Sequence, residues 1–361
     1  MSQSKPEVES LPGNVRFVAS PDDRILITGA SGFIGSRVVE TLLRMGFGNL
    51  VCLVRSTSDL TRLDAMERPA GAKVKVIKGN LLSPEDCATA AEGVAVIFHL
   101  AAGGSDKSYP DAFMNTVITT RNLLEAGLAQ GTLRRFVNIS SLAVYSNRDK
   151  KGNLLNESSP VEARPELRGD AYCFAKIKQD EIVAEYCRRS GLSYAIIRPG
   201  YVYGPGKSSI SSRVGIDTFG VFLHMGGWNK LPLTYVDNCA EAIVLAGLNE
   251  GSAGEVFNIV DDDLPSSQKF LRLYKRRVKK FRSFYMPHWM SYALCRTWER
   301  YSNWSEGQLP PVFNTRRWHA LWKSTRYSNE KLKRMGWKPR VSMAEGLERY
   351  FQSCRERGTL A

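Results

Sequence analysis

Short apolar runs alternate along this chain with stretches in which apolar residues recur every three or four positions. In "RILITGASGFIGSRVVETLLRMGF" an apolar run leads into a glycine turn and then into a helical spacing, which predicts strand, turn and helix. Further apolar runs, "NLVCLVRS", "KVKVIKGN", "VAVIFHLAA", "RRFVNISS" and "SYAIIRPG", predict strands, with helices over "DAFMNTVITTRNLLEAGLAQG" and around Tyr172. Strands separated by helices pair in parallel through right-handed crossovers, so the pattern predicts an α/β fold. "LPLTYVDNCAEAIVLAGL" and "EVFNIVDD" are expected to add further strand and helix to the same sheet. No internal repeat or low-complexity tract interrupts the series.

Composition adds bounds. A chain of 361 residues with 43% hydrophobic side chains supports a sizeable core. The opening "MSQSKPEVESLPGNVRF" is polar and carries both signs of charge, and residues 1–22 are expected to be flexible. With no signal-like apolar segment there and no run of roughly eighteen apolar residues later, the expectation is a cytoplasmic protein that does not span a membrane. Seven cysteines (52, 87, 173, 187, 239, 295 and 354) are scattered without a CxxC pair, as expected of reduced, buried thiols. The four histidines lack ligand spacing, so no metal is expected.

Charge divides the chain. The formal net charge is +14, yet residues 265–340 alone hold nineteen Lys or Arg against three acids, together with six of the seven tryptophans. This shift sets residues 23–200 and 233–263 apart as one domain. Residues 201–232 and 264–361 are then expected to form a smaller C-terminal substrate-binding region.

The glycines of "TGASGFIG", Gly29, Gly32 and Gly35, stand between a predicted strand and a predicted helix. They permit a tight turn and close backbone approach, and the helix N-terminus offers N–H groups to a pyrophosphate. The expectation is a Rossmann-type, doubly wound parallel sheet that binds a dinucleotide. At the end of the second strand a carboxylate would hold a free ribose 2′-hydroxyl, but "LVRSTSD" places Arg55 and Ser56 there. A guanidinium suits a 2′-phosphate, so NADP(H) is the favoured cofactor and NAD(H) the alternative. In "GDAYCFAKIKQDE", Tyr172 and Lys176 lie four apart and share one helix face. A phenol titrates near pH 10, and a neighbouring ammonium is expected to lower that value, making the pair an acid–base device for an alcohol or carbonyl.

In this order, "TGASGFIG", "HLAA", "NTVITTRNLLEA", "SSLAVYS", "YCFAK", "RPGYVYGPG" and "LTYVDNCAEAI" resemble the extended short-chain dehydrogenases/reductases from about residue 23 to about 350. That family includes sugar-nucleotide epimerases and dehydratases, 3β-hydroxysteroid dehydrogenases and dihydroflavonol reductases. The resemblance implies that Ser141 hydrogen-bonds the reacting oxygen, that Tyr172 is the general acid–base, and that Lys176 lowers its pKa and holds the nicotinamide ribose. It implies cofactor contacts from Gly29, Ser31, Gly32, Phe33, Ile34 and Gly35 in the first turn and from Arg55 and Ser56 after the second strand. Asn80 and Leu81 are expected near the adenine, where many relatives carry an aspartate in place of Asn80. Leu100, Ala101 and Ala102 are expected along the pyrophosphate, and Pro199, Gly200, Tyr201 and Val202 beside the nicotinamide, with Asn115 supporting the site. Ser140 is expected to be a strand-end hydrogen-bonding residue and Tyr145 to touch substrate or pack. Homodimer formation through the "NTVITTRNLLEA" helix is also implied.

Two positions bear on the substrate. Sugar-nucleotide epimerases commonly carry an asparagine after the "RP" step and an arginine just before the "TYVDN" equivalent. Here Gly200 with Tyr201, and Leu231-Pro232-Leu233, stand in those places. The resemblance therefore implies an NAD(P)-dependent oxidoreductase that interconverts an alcohol and a ketone on a bulky apolar or lipid-linked substrate. The alternatives are an epimerase or dehydratase of a sugar nucleotide or lipid-linked sugar, and a non-catalytic dinucleotide-binding interaction module. The basic, aromatic stretch within 269–340 has two readings: a cap with an apolar inner and solvated basic outer face, or a surface for an anionic membrane. Nucleic-acid binding is not expected, since no recognition module accompanies the charge.

Overall fold

The computed structural model describes residues 16–104, 108–149, 151–207, 209–218, 220–305, 308 and 313–358. Seven strands form the central sheet: β1 (Ile25–Thr28), β2 (Asn49–Val54), β3 (Lys73–Lys78), β4 (Val96–His99), β5 (Arg135–Ile139), β6 (Ser193–Pro199) and β7 (Glu255–Ile259). They lie in the order β3-β2-β1-β4-β5-β6-β7, every pairing parallel. The order reverses between β1 and β4, the switch point at whose carboxyl ends ligands bind in such sheets.

Strands β1, β4 and β5 are buried along their whole length, which is why they read as unbroken apolar runs rather than alternating ones. Successive side chains supply two cores. Ile25 and Ile27 pack with Val38 and Leu42 of α1 (Gly35–Arg44) and with Ala240 and Ile243 of a later helix, Val236–Leu248. Leu26 packs to the other side, with Leu123, Phe136 and Val183. That side is covered by α2 (Pro84–Ala91), α3 (Thr119–Ala129) and α4 (Ala171–Ser190), with α5 the Val236–Leu248 helix opposite. A π-helical turn, Met114–Ile118, leads into α3.

Two expectations are corrected. Leu233–Tyr235 does not join the main sheet; it pairs in parallel with Tyr201–Tyr203. The run is only three residues long and serves to hold the loop after β6, with the Tyr201 N–H donating to the Pro232 carbonyl at 2.7 Å. Of the N-terminal segment expected to be flexible, residues 1–15 lie outside the described residues, but the next ones are docked. The Val18 N–H donates to the Leu248 carbonyl at 2.8 Å, and Phe17 meets the Phe47 ring edge-on at 5.8 Å.

The C-terminal region carries α6 (Ser267–Arg277), α7 (His288–Trp304), α8 (Thr315–Trp322) and α9 (Met343–Gly358). A small sheet joins Val221–His224 to Gly215–Thr218 and to Ser283–Tyr285. Phe270 and Tyr203 pack against Tyr350 of α9, and Tyr203 in turn meets Tyr235, at the start of α5, edge-on at 5.6 Å. Among the described residues no helix is long and apolar enough to cross a membrane, and no cluster could hold a metal ion. All seven cysteines are free and buried.

Candidate active site

The turn from β1 into α1 is shaped by what its glycines lack. Gly29 has φ +68°, and a Cβ there would come within 3.0 Å of the Ala101 nitrogen. A Cβ on Gly35 would lie 2.0 Å from the Gly29 carbonyl oxygen, so the first turn of α1 closes onto the loop only with glycine. Gly32 is exposed between them. The result is bare backbone at a helix N-terminus, a cradle that side chains would fill and that fits the pyrophosphate of a nicotinamide dinucleotide. When bound, that dinucleotide supplies a hydride donor or acceptor.

The cradle opens into a cavity of about 830 Å³. Of the expected residues, Gly29, Gly32, Phe33, Ile34, Gly35, Leu100, Ala102, Pro199, Gly200, Tyr201 and Val202 line it, and so do Ser141, Tyr172 and Lys176. Ser31 and Ala101 sit in the same loops without facing it. Arg55, Ser56 and Asn80 lie outside, exposed after β2 and β3. Asn80 is engaged in its own turn, its Oδ1 accepting from the Leu82 N–H at 3.0 Å. Leu81 packs on the core, and the Asn115 amide donates to the Asp111 carbonyl. Tyr145 is removed from the cavity: its hydroxyl donates to Asn258 Oδ1 at 2.9 Å while Arg198 stacks on its ring. Ser140, also in the wall, donates to Asp180 at 2.9 Å, and Asp180 is paired with Arg198 at 3.0 Å.

Tyr172 and Lys176 share the helix face as their spacing predicts, but not the expected electrostatics. Burial pushes the Tyr172 phenol up to about 12, opposed by a hydrogen bond with Ser141. The Lys176 ammonium turns away, donating to the Ile139 carbonyl at 2.6 Å and to Gln179 Oε1 at 2.9 Å. Its own pKa is pulled down to about 8 by burial, with Asp180 working against the shift. The lysine therefore does not acidify the phenol in this arrangement, because Gln179 and the end of β5 hold its charge elsewhere.

Gln179 belongs to a buried row whose donors are all determined. With its Oε1 taken by Lys176, its Nε2 donates to Thr120 Oγ1 at 2.9 Å. The Thr120 hydroxyl donates to the Thr116 carbonyl, so it can only accept from His99 Nε2 at 2.9 Å. His99 Nδ1 then accepts from Thr28 Oγ1 at 2.8 Å, and Thr28 accepts from the Ala101 N–H at 3.3 Å. Burial holds the His99 pKa near 3, so the ring is neutral. The row joins the loop of Ala101, beside the glycine turn, to Lys176.

The region expected to bind substrate does reach the cavity, but the cations it brings there were not foreseen. Arg168, Lys207, Arg213 and Arg317 line it, with Asp170 as the one carboxylate among the described lining residues. Arg168 is 2% exposed; its guanidinium donates to the Ala143 carbonyl and lies 3.6 Å from Asp170, while its Nε is buried without a partner among the described residues. Arg213 donates to the Ala320 carbonyl at 2.9 Å and Arg317 to the Gly169 carbonyl at 3.1 Å. Lys207 sits over the Tyr201 ring at 4.2 Å, its pKa lowered by burial. Arg168 and Asp170 directly precede Tyr172, a nearness that gave some signal; the convergence of 207, 213 and 317 left none in any local pattern.

Residues 25–260 match the family described as NAD dependent epimerase/dehydratase. The chain belongs to that family. It is an enzyme of the extended short-chain dehydrogenase/reductase type, and its family relatives divide by substrate. One, 28% identical over 90% of this chain, is a trifunctional UDP-glucose 4,6-dehydratase/UDP-4-keto-6-deoxy-D-glucose 3,5-epimerase/UDP-4-keto-L-rhamnose-reductase from Arabidopsis thaliana. The chain spans only 46% of that protein's length. Another, 26% identical over 91% of this chain and 90% of its own length, is a decarboxylating sterol-4-alpha-carboxylate 3-dehydrogenase from Mus musculus. A third, 26% identical over 74% of this chain and 76% of its own, is an N-acetyl-alpha-D-glucosaminyl-diphospho-ditrans,octacis-undecaprenol 4-epimerase from Escherichia coli O157:H7. Among solved structures, gox2253 shares the family fold with a TM-score of 0.75 at 22% identity, over 93% of this chain and 99% of that one.

Proposed function

We propose that the chain interconverts an alcohol and a ketone on a bulky, phosphate-bearing substrate, of the sugar-nucleotide or lipid-linked sugar type. Tyr172 exchanges the hydroxyl proton, Ser141 holds the reacting oxygen, and Lys176 binds the ribose beside it. The observation that carries the substrate class is the cationic lining, Arg168, Lys207, Arg213 and Arg317 against Asp170. A sterol would desolvate these cations against only backbone carbonyls and Asp170, whereas a diphosphate would accept charge-assisted bonds from them. The exposed Arg55 supports a preference for NADP(H) over NAD(H).

Two measurements test the reading. Thermal shift should find stabilisation by uridine diphosphate and none by a soluble sterol; the reverse ranking overturns the substrate class. Chromatography of cofactor released on denaturation separates the outcomes of the chemistry: tightly held, stoichiometric NAD⁺ points to internally recycled hydride, as in an epimerase or dehydratase. An empty site that prefers NADPH, with the preference lost in Arg55→Ala, points to net reduction.

A further inference from the structure

A surface helix ordinarily turns its apolar stripe inward. Helix α7 buries Cys295 and packs Tyr292 inward but turns most of its large apolar side chains outward. Its buried positions are Ser291, Cys295 and Ser302. Its one acid, Glu299, is half-buried on this inner side and accepts from the Thr315 N–H at 3.1 Å. The outward arc carries Trp289 at 74% exposure and Trp304 at 76%, with Leu294, Trp298 and Tyr301 also exposed. Only Arg296 and Arg300 add charge there. This contradicts the expectation of a cap whose outer face is merely basic and solvated.

The apolar face extends beyond the helix. Phe284 and Tyr285, on the edge strand Ser283–Tyr285, are exposed, as is Trp228, whose neighbour Gly227 lies against the Tyr285 hydroxyl and His288. Lys279, Lys280 and Arg282 stand exposed just before that strand. Rings that prefer a polar–apolar boundary, next to cations with no acid on the same arc, fit the headgroup layer of an anionic bilayer.

We infer that the outward face of α7, with Ser283–Tyr285 and Trp228, docks the protein on an anionic lipid surface. A second copy seated on this face would bring Lys279, Lys280, Arg282, Arg296 and Arg300 against their own counterparts. Nucleic acid would engage the cations but leave the indole-rich arc largely unused. The face is one helix removed from the cavity. Trp318 of α8 donates to Ser291 at 2.9 Å and packs on Tyr292 at 5.0 Å, while Arg317 and Leu321 of the same helix line the cavity. The docking does not depend on which substrate the cavity takes.

Sedimentation of the full chain with vesicles of phosphatidylcholine, with and without phosphatidylglycerol, at physiological salt tests it without substrate. The expected result is binding to the anionic vesicles with a blue shift of tryptophan emission. Trp289→Ser with Trp304→Ser should weaken partitioning about tenfold or more; Lys279→Glu with Lys280→Glu should remove the preference for phosphatidylglycerol. Unchanged thermal unfolding of these surface variants would show that they fold. No binding overturns the inference, and so does binding that the tryptophan pair leaves intact, which is adsorption by charge alone. Loss of a dimer in the tryptophan pair without vesicle binding, or tighter retention on double-stranded DNA than on vesicles, overturns it in favour of those partners.

Discussion

Tyr172 sits half-buried in a wall that raises its phenol, and Lys176, the residue best placed by spacing to lower it, is bonded to Ile139 and Gln179 instead. A phenol raised in this way is a poor base on its own. Tyr172→Phe should lower turnover by about 10²–10⁴-fold while leaving dinucleotide affinity, read by fluorescence titration, nearly unchanged. Asp261 gives a pH effect of a different kind. Burial raises its carboxyl to about 7, although it accepts from the Tyr235 N–H and the Asn238 amide. Its folded pKa lies above the unfolded value, so the native state keeps a proton that the unfolded chain releases. The stabilisation is complete below about pH 4 and lost as pH rises to about 7. Urea unfolding across that window should show stability falling with pH in the parent protein, and a flatter dependence in Asp261→Asn.

At the scale of elements, α8 reaches the cavity because one residue fixes both its start and its neighbour. Asn314 accepts from the Arg317 N–H at 2.8 Å, capping the helix, and donates to the Arg168 carbonyl at 3.0 Å. Asn314→Ala should loosen two cavity cations together, raising KM for a phosphate-bearing substrate several-fold more than it changes kcat or dinucleotide affinity; steady-state kinetics would show the split. The same elements explain what was readable beforehand. Strands β1, β4 and β5 were legible because complete burial leaves continuous apolar runs, β3 because its exposed lysines alternate with half-buried apolar residues, and the glycine cradle because backbone closeness demands glycine. Leu233–Tyr235 was misplaced since a buried run of three residues looks alike whether it joins the large sheet or a two-stranded one. Gly200 and the Leu231-Pro232-Leu233 run, met separately in sequence, turn out to be one feature: a Cβ at 200 would lie 2.2 Å from the Pro232 carbonyl. The turning of Lys176 toward the Ile139 carbonyl, the cationic lining and the outward apolar face of α7 each depend on segments distant in the chain, and no periodicity encodes such encounters.

Across the whole molecule the packed clusters leave no thiol at the surface. Burial raises Cys52, Cys173 and Cys187 to about 12, far from the thiolate that reacts. A chromogenic disulfide reagent should therefore find none of the seven cysteines in the native protein at neutral pH and all of them after denaturation. The interior also holds the row from Ala101 through Thr28, His99, Thr120 and Gln179 to Lys176, in which each hydrogen has one possible owner. His99 is consequently locked as a single tautomer, protonated at Nε2, with no charge to gain until pH about 3. In nitrogen-15 spectra its two ring resonances should stay far apart and motionless from pH 5 to 9, so that any convergence of the pair reports a break between the two halves of the active site.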